Sequence, residues 1–337
     1  MTFQLGVPFY SQVLTTAVRS MGRSSNNATT RYVDMWAMPG LHPSNNQFLQ
    51  KLTSADTTHF TRNMQVVGTV SSKDEKSGNW ERTHMIGIRT DVWQPDKQEI
   101  TDALEVLQDQ RQEELRRDIK RRGKLSATQD EKLQQQLEQD SVMQMQEGEL
   151  ENRRLVLKLF KTTDTRTNWC GSLEQITTSE VHNSIGSRRP LISLSVMLAR
   201  NDFVTNIQQN HRTWRIPPVF TLCYYDKGEM HHLSLTRRWV SFGPDYDVAI
   251  NGQRVGLING RLFGFGSDSE IDLSGHPLVD DTGFMDMLTL FAASIGYHRA
   301  IWRSIRRRVA ACLSGQSFRH LIEDEELRLR HNGRSAA

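Results

Sequence analysis

The chain is poor in cysteine. Cys170, Cys223 and Cys312 are the only three among 337 residues. An odd number without paired spacing argues against a disulfide framework and against a thiolate metal centre. Reduced thiols point to an intracellular compartment, the cytoplasm first. Long apolar runs are missing as well: the best, residues 287–297, stops at His298 and Arg299, short of the ~18 residues a membrane span needs. A strong charge of either sign is also absent. Lys and Arg number 42 against 39 Asp and Glu, a formal charge of +3, so any surface for nucleic acid or anionic lipid must be local.

Motifs of catalysis are equally scarce. Ser241, Asp245 and His276 are residue types of a hydrolase, but no Gly-x-Ser-x-Gly elbow accompanies them. The glycine-rich stretch at 260–266 leads into β-like sequence rather than a helix, so it lacks the geometry of a phosphate cradle. His231 and His232 adjoin in a strand-like run, and their side chains point to opposite faces. Cys170, between Trp169 and Gly171, has no base near it in sequence and reads as structural. No catalytic residue, metal ligand or cofactor is therefore assigned. The sequons at Asn27 and Asn168 carry no weight.

Residues 1–33 hold Arg19, Arg23 and Arg31 and no acid before Asp34. Tyr10, Val13, Leu14, Ala17, Val18 and Met21 fall at helical spacing. That is the pattern of an organelle transit peptide, which would place the protein in the mitochondrion; the plainer reading is an N-terminal helix docked on the body. Residues 34–97 mix turn signals with β-like runs. The runs 64–70 and 85–93, on either side of a polar, Gly-containing loop, predict a hairpin. A short helix is expected within 43–52.

Composition shifts at 98–154, which contain neither proline nor an aromatic residue. Ile100, Ala103, Leu104, Leu107, Leu115 and Ile119 keep helical spacing. Gly123 breaks the helix, Ser126 with Gln129 offers a capping box for the next, and Leu133 and Leu137 give that one a narrow seam. This predicts a charged helical-hairpin arm, either a solvated insertion or a partner-binding device.

From Leu155 onward β signals dominate. Runs at 155–160, 191–198, 219–225 and 230–235 are of strand length, and the last two flank a turn at Asp226-Lys227-Gly228-Glu229. Pro217-Pro218 makes the third of these begin there or lie at an edge. Residues 238–252 then repeat at 261–275: Arg, Phe, Gly, Asp and a final Gly coincide. Each unit reads as a strand end, a turn, an alternating strand and a closing turn, so further strands must come from upstream. After the repeat, Asp280-Asp281-Thr282 offers N-cap side chains. Phe284, Met285, Met287, Leu288, Leu290, Phe291, Ala292, Ala293, Ile295 and Tyr297 then cover nearly the whole helical circumference. A helix apolar all round must be enclosed, and the sheet is the economical enclosure.

Arg238-Trp239-Val240-Ser241-Phe242, Tyr246-Asp247-Val248 with Asn251-Gly252, the second copy at 261–275 and the helix at 284–297 together resemble the tubby-like superfamily, which includes the LURP-one-related proteins and the phospholipid scramblases. The resemblance covers roughly 190–300 and implies a β-barrel threaded by its hydrophobic C-terminal helix. No phosphoinositide-binding motif or calcium loop transfers residue by residue.

The expected fold is thus α+β: an antiparallel barrel or meander over 155–312 enclosing an apolar helix, with 1–33 an N-terminal segment, 34–97 a small β-containing region, 98–154 the arm and 313–337 a charged tail. Arg299, Arg303, Arg306, Arg307 and Arg308 form a basic C-terminal helix, with Ile301, Trp302, Ile305 and Val309 on its other face. That helix suits an anionic membrane surface or an acidic partner in a larger complex; its plain reading is a solvated face answering the acids at 323–326. The expected function is a non-enzymatic binding or assembly module acting through this helix and the arm. The alternatives are a structural subunit of a nucleoprotein particle and a hydrolase or transferase with dispersed residues.

Overall fold

A computed structural model describes residues 29–36, 64–73, 78–93, 97–122, 127–140, 143–144, 154–163, 167–210, 217–241, 243–263 and 266–314. The expected helices near 10–21 and 43–52, the capping box at Ser126 and the acidic run at 323–326 lie outside them.

Alternation of apolar and polar side chains builds the strands. In Tyr246–Ile250, residues Tyr246, Val248 and Ile250 are buried while Asp247 and Ala249 are only half-buried, the period of a strand with one face on a core. The strands are β1 Thr29–Trp36, β2 Met64–Lys73, β3 Trp80–Arg89, β4 Val156–Thr162, β5 Thr167–Gln175, β6 Ser193–Leu198, β7 Val204–Gln209, β8 Val219–Asp226, β9 Glu229–Arg237, β10 Tyr246–Ile250, β11 Gln253–Phe263 and β12 Gly266–Leu273. All pair antiparallel, each with its sequence neighbours, and β1 pairs with β12 to close the barrel. The repeat of 238–252 at 261–275 supplies the β9–β10 and β11–β12 crossings.

Two hairpins follow from their turn residues. Lys227 and Gly228 have φ of 46° and 90°, and Asn251 and Gly252 have 49° and 84°, the left-handed pair that joins tightly twisted strands. Where β11 passes β12, a side chain at Gly256 would meet the Asp272 carbonyl at 2.1 Å, so only glycine permits that approach.

Helix α1 is Thr90–Trp93, α2 Lys97–Arg122, α3 Ala127–Gln139, α4 Thr177–Ser184, α5 Thr282–Ser294 and α6 His298–Leu313. Asp281 caps α5, its carboxylate accepting from the Phe284 N–H at 2.6 Å. Every residue of α5 after Thr282 is buried. Phe220, Tyr246 and His298 ring Phe291 at centroid distances of 5.1, 5.4 and 5.8 Å. The helix therefore fills the lumen and is itself the core. A chain direction follows. The turns at 227–228 and 251–252 share one end of the barrel with the start of α5; α4, α6 and the base of the arm cap the other.

Two expected boundaries do not hold. Residues 34–97 are not a separate region, because β2 and β3 complete the same sheet as β4–β12, and β1 begins inside the expected N-terminal segment. The upstream strands were needed because closing a wall around a helix takes more strands than 155–312 supply. The arm does form as helices α2 and α3, joined by Arg111 to Asp140 at 3.0 Å. Among the described residues no helix is long and apolar enough to cross a membrane.

Candidate functional site

Two places gather chemistry. The first is inside the wall at the start of α5. Arg31 of β1 points inward and donates to Asp286 at 2.7 Å and to Thr289 Oγ1 at 3.1 Å. His84 of β3 lies 3.8 Å from the same carboxylate, and its Nδ1 is 2.9 Å from the Thr83 hydroxyl. Cys170 of β5 completes the group: donor atoms of His84, Cys170 and Asp286 lie within 4.8 Å of one another. These are metal-ligating residue types that sequence spacing did not reveal, since two strands and a helix bring them together.

The charges around the group favour an internal ion pair. Burial, then Arg31 and Lys161, push His84 down to about 3, so it is neutral. Burial and the Asp286 charge push the Cys170 thiol up to about 11. Burial raises the Asp286 carboxyl despite Arg31. The Arg31 guanidinium already pairs with the carboxylate, and a divalent ion would have to displace it and deprotonate a resistant thiol. The group ties the helix to the wall.

A second buried network secures the capped end. Arg154 donates to Glu174 at 2.5 Å and to the Gln175 carbonyl at 3.1 Å. Gln175 Nε2 reaches Glu180 of α4 at 2.6 Å, and Glu180 accepts from the Ser193 N–H at 3.3 Å. Arg308 of α6 lies 3.6 Å from Glu180. Expected among the arginines that meet an anionic surface, Arg308 is instead 3% exposed. It cannot meet an external anion. The helix turns it one step past Arg307, towards Ile301 and Ile305 on the buried side.

The other four arginines stand in solvent. Arg299, Arg303, Arg306 and Arg307 are exposed on α6, while Ile301 and Ile305 are fully buried and Trp302 Nε1 donates to Gln209 at 3.2 Å. Among the described residues no carboxylate pairs with these four. The β9–β10 loop leaves the barrel at the same end, and its first neighbour Arg237 joins burial in depressing the pKa of His298, at the start of α6, to about 3. At the tip of that loop Trp239 is 60% and Val240 94% exposed. Sequence reasoning placed these two in the repeat but not at its surface. Their unusual size for a turn between two strands was the available signal.

Other residue types weighed from sequence stay apart. Ser241 donates to the Gly243 carbonyl and Asp245 accepts from the Gly260 N–H, both at the capped end, whereas His276 sits at the turn end against His231. His231 and His232 do face opposite ways: His232 lies outside, 3.3 Å from the Cys223 sulfur.

No protein-family model, curated protein or solved structure matches this chain.

Proposed function

We propose that the protein is a non-enzymatic docking module of the tubby-like kind, whose capped end rests on an anionic membrane surface. The observation that carries this reading is four exposed arginines on α6, which pair with no carboxylate among the described residues, together with the exposed Trp239–Val240 tip at the same end of the barrel. Arginines gain from anionic headgroups, while an indole and an isopropyl group gain from the interfacial zone beneath. The closed antiparallel barrel around an apolar C-terminal helix supports the tubby-like assignment. A lumen packed with that helix leaves the outside of the barrel for recognition. The polar arm offers the same module a second surface, for a protein partner in an assembly.

Vesicle flotation tests the reading. The chain should float with phosphatidylcholine vesicles that contain phosphatidylserine and not with phosphatidylcholine alone, and salt should release it. Changing Arg299, Arg303, Arg306 and Arg307 to Gln should cut binding roughly tenfold or more at low salt. Trp239→Ala should weaken it at every salt concentration. Retention on single-stranded RNA with a steep salt slope, without flotation, would move the protein to the nucleoprotein class instead.

A further inference from the structure

The barrel wall has one weak seam. Every other pair of neighbouring strands matches over five residues or more, but β7 and β8 match only at Gln208↔Thr221 and Gln209↔Phe220. Below that point the ladder stops. Had it continued in register, Asn206 would oppose Cys223 and Val204 would oppose Tyr225. Instead a cavity of about 560 Å³ opens there, lined by Val204, Asn206 and Gln208 of β7 and by Thr221 and Cys223 of β8, and reaching over β8 to His232 and Ser234 of β9. A second of about 350 Å³ continues it under α4 and shares the β7 residues. Among the described residues, neither has a carboxylate, ammonium or guanidinium group in its lining. The seam is shut again at the turn end, where the rings of Phe203 and Tyr225 meet edge to face at 6.1 Å.

Strand edges that end a ladder without a neighbour offer backbone donors and acceptors to another strand. We propose that this cleft takes an extended, uncharged peptide segment of a partner protein, which pairs with β7 and β8 as an added strand. Backbone pairing sets the affinity and the alternating pockets set the sequence. About four residues fit between Gln208 and Phe203, roughly 13 Å at strand rise. Inward positions of the guest meet Ile207 and Leu222, both buried, with α5 filling the space behind them. They should therefore be small and apolar, while outward positions should be Ser, Thr or Asn, matching Asn206, Gln208 and Thr221. This site is separate from the basic end and does not depend on it.

The experiment uses the full chain carrying Cys312→Ser and a phage-displayed heptapeptide library. Selected sequences should alternate small apolar and uncharged polar residues. Saturating synthetic peptide should slow iodoacetamide alkylation of Cys223 at least tenfold. N-methylation of alternate peptide amides should abolish binding, and so should closing the seam by bridging Asn206→Cys to Cys223 with dibromobimane. Failure to enrich any sequence, equal binding by the N-methylated peptides, or equal binding to the bridged protein would each overturn the proposal. Selected peptides that carry charge or bind without protecting Cys223 would do the same. Should the bridged variant not fold, amide hydrogen exchange on the unmodified chain decides: fast exchange at residues 204–207 and 222–225 that slows with peptide supports the proposal, and protection equal to that of β9 without peptide sinks it.

Discussion

Arg31, the third residue of the first strand, donates a 2.7 Å hydrogen bond to Asp286 on the enclosed helix, 255 positions away. The bond joins the barrel's first strand to its core, so wall closure and helix register depend on one another. Arg31→Met should cost about 3–5 kcal/mol, the usual result of leaving one member of a buried pair alone. Adding Asp286→Leu should recover much of that loss. Urea denaturation of the two single variants and the double variant measures the coupling. Additive losses would show that the pair contributes nothing.

Acid should weaken the fold through its buried histidines. His84 and His298 are both depressed to about 3, chiefly by burial, against about 6.5 when unfolded. Below pH 6.5 the unfolded chain takes up protons that the folded chain refuses. Their stabilisation is therefore complete above that pH and is lost as pH falls towards 3, at about 1.4 kcal/mol per unit for each histidine. Asp34 works the other way. Burial, then Asp268, raise it to about 6, so stability is lost between pH 4 and 6 as pH rises. His298→Gln keeps a donor for Ser294, which lies 3.1 Å from the ring. Between pH 6 and 4 this variant should lose stability more slowly than the parent by about one histidine's slope. Parallel curves from denaturation at each pH would refute the assignment.

How much of this was legible beforehand follows from what each residue's neighbours are. The Asn251-Gly252 and Lys227-Gly228 turns, the enclosed helix and the two arm helices depend on local signals, and all stand where the pattern placed them. Strands β5 and β7 do not advertise themselves. The first carries Cys170 in a bulge between Leu159 and Phe160 of its partner, and the second reads Val-Thr-Asn-Ile-Gln-Gln. Their strand character comes from neighbours, since pairing and burial outweigh weak intrinsic preference. The Arg31–His84–Cys170–Asp286 cluster was unreadable for the same reason: no spacing in the sequence encodes a meeting of β1, β3, β5 and α5. Arg308 was grouped with the binding arginines because it continues the charged run 306–308, yet its helical angle sets it beside Ile301 and Ile305, on the side that packs inward.

Removing the arm should leave the barrel intact. The Arg154 N–H donates to the Val92 carbonyl at 2.9 Å, so the chain returns to the point from which it left. A short Gly/Ser linker in place of residues 98–150 can span that gap with little change in closure entropy. Trp93 stays, with its edge-to-face contact to Tyr297 at 5.1 Å. The shortened chain should melt cooperatively within a few degrees of the parent. A molten or insoluble product would assign the arm to the core.

Arg307 and Arg308, adjacent in sequence, should separate binding from stability. Arg308 is buried against Glu180, and Glu180 also holds Gln175 and the Ser193 backbone. Arg308→Gln removes the positive charge from a carboxylate that water does not reach, with an expected loss on the order of 3 kcal/mol. It should leave vesicle flotation unchanged at temperatures where the protein stays folded. Arg307→Gln should do the reverse. Gln keeps nearly the helix propensity of Arg, and an exposed charge adds little to stability, so the denaturation midpoint should not move. Flotation at low salt should weaken, and the difference should fade as salt rises. Equal effects of the two substitutions on binding would mean that the helix acts through its fold rather than through its outer charges, and the basic-face reading would then fail for Arg299, Arg303 and Arg306 as well.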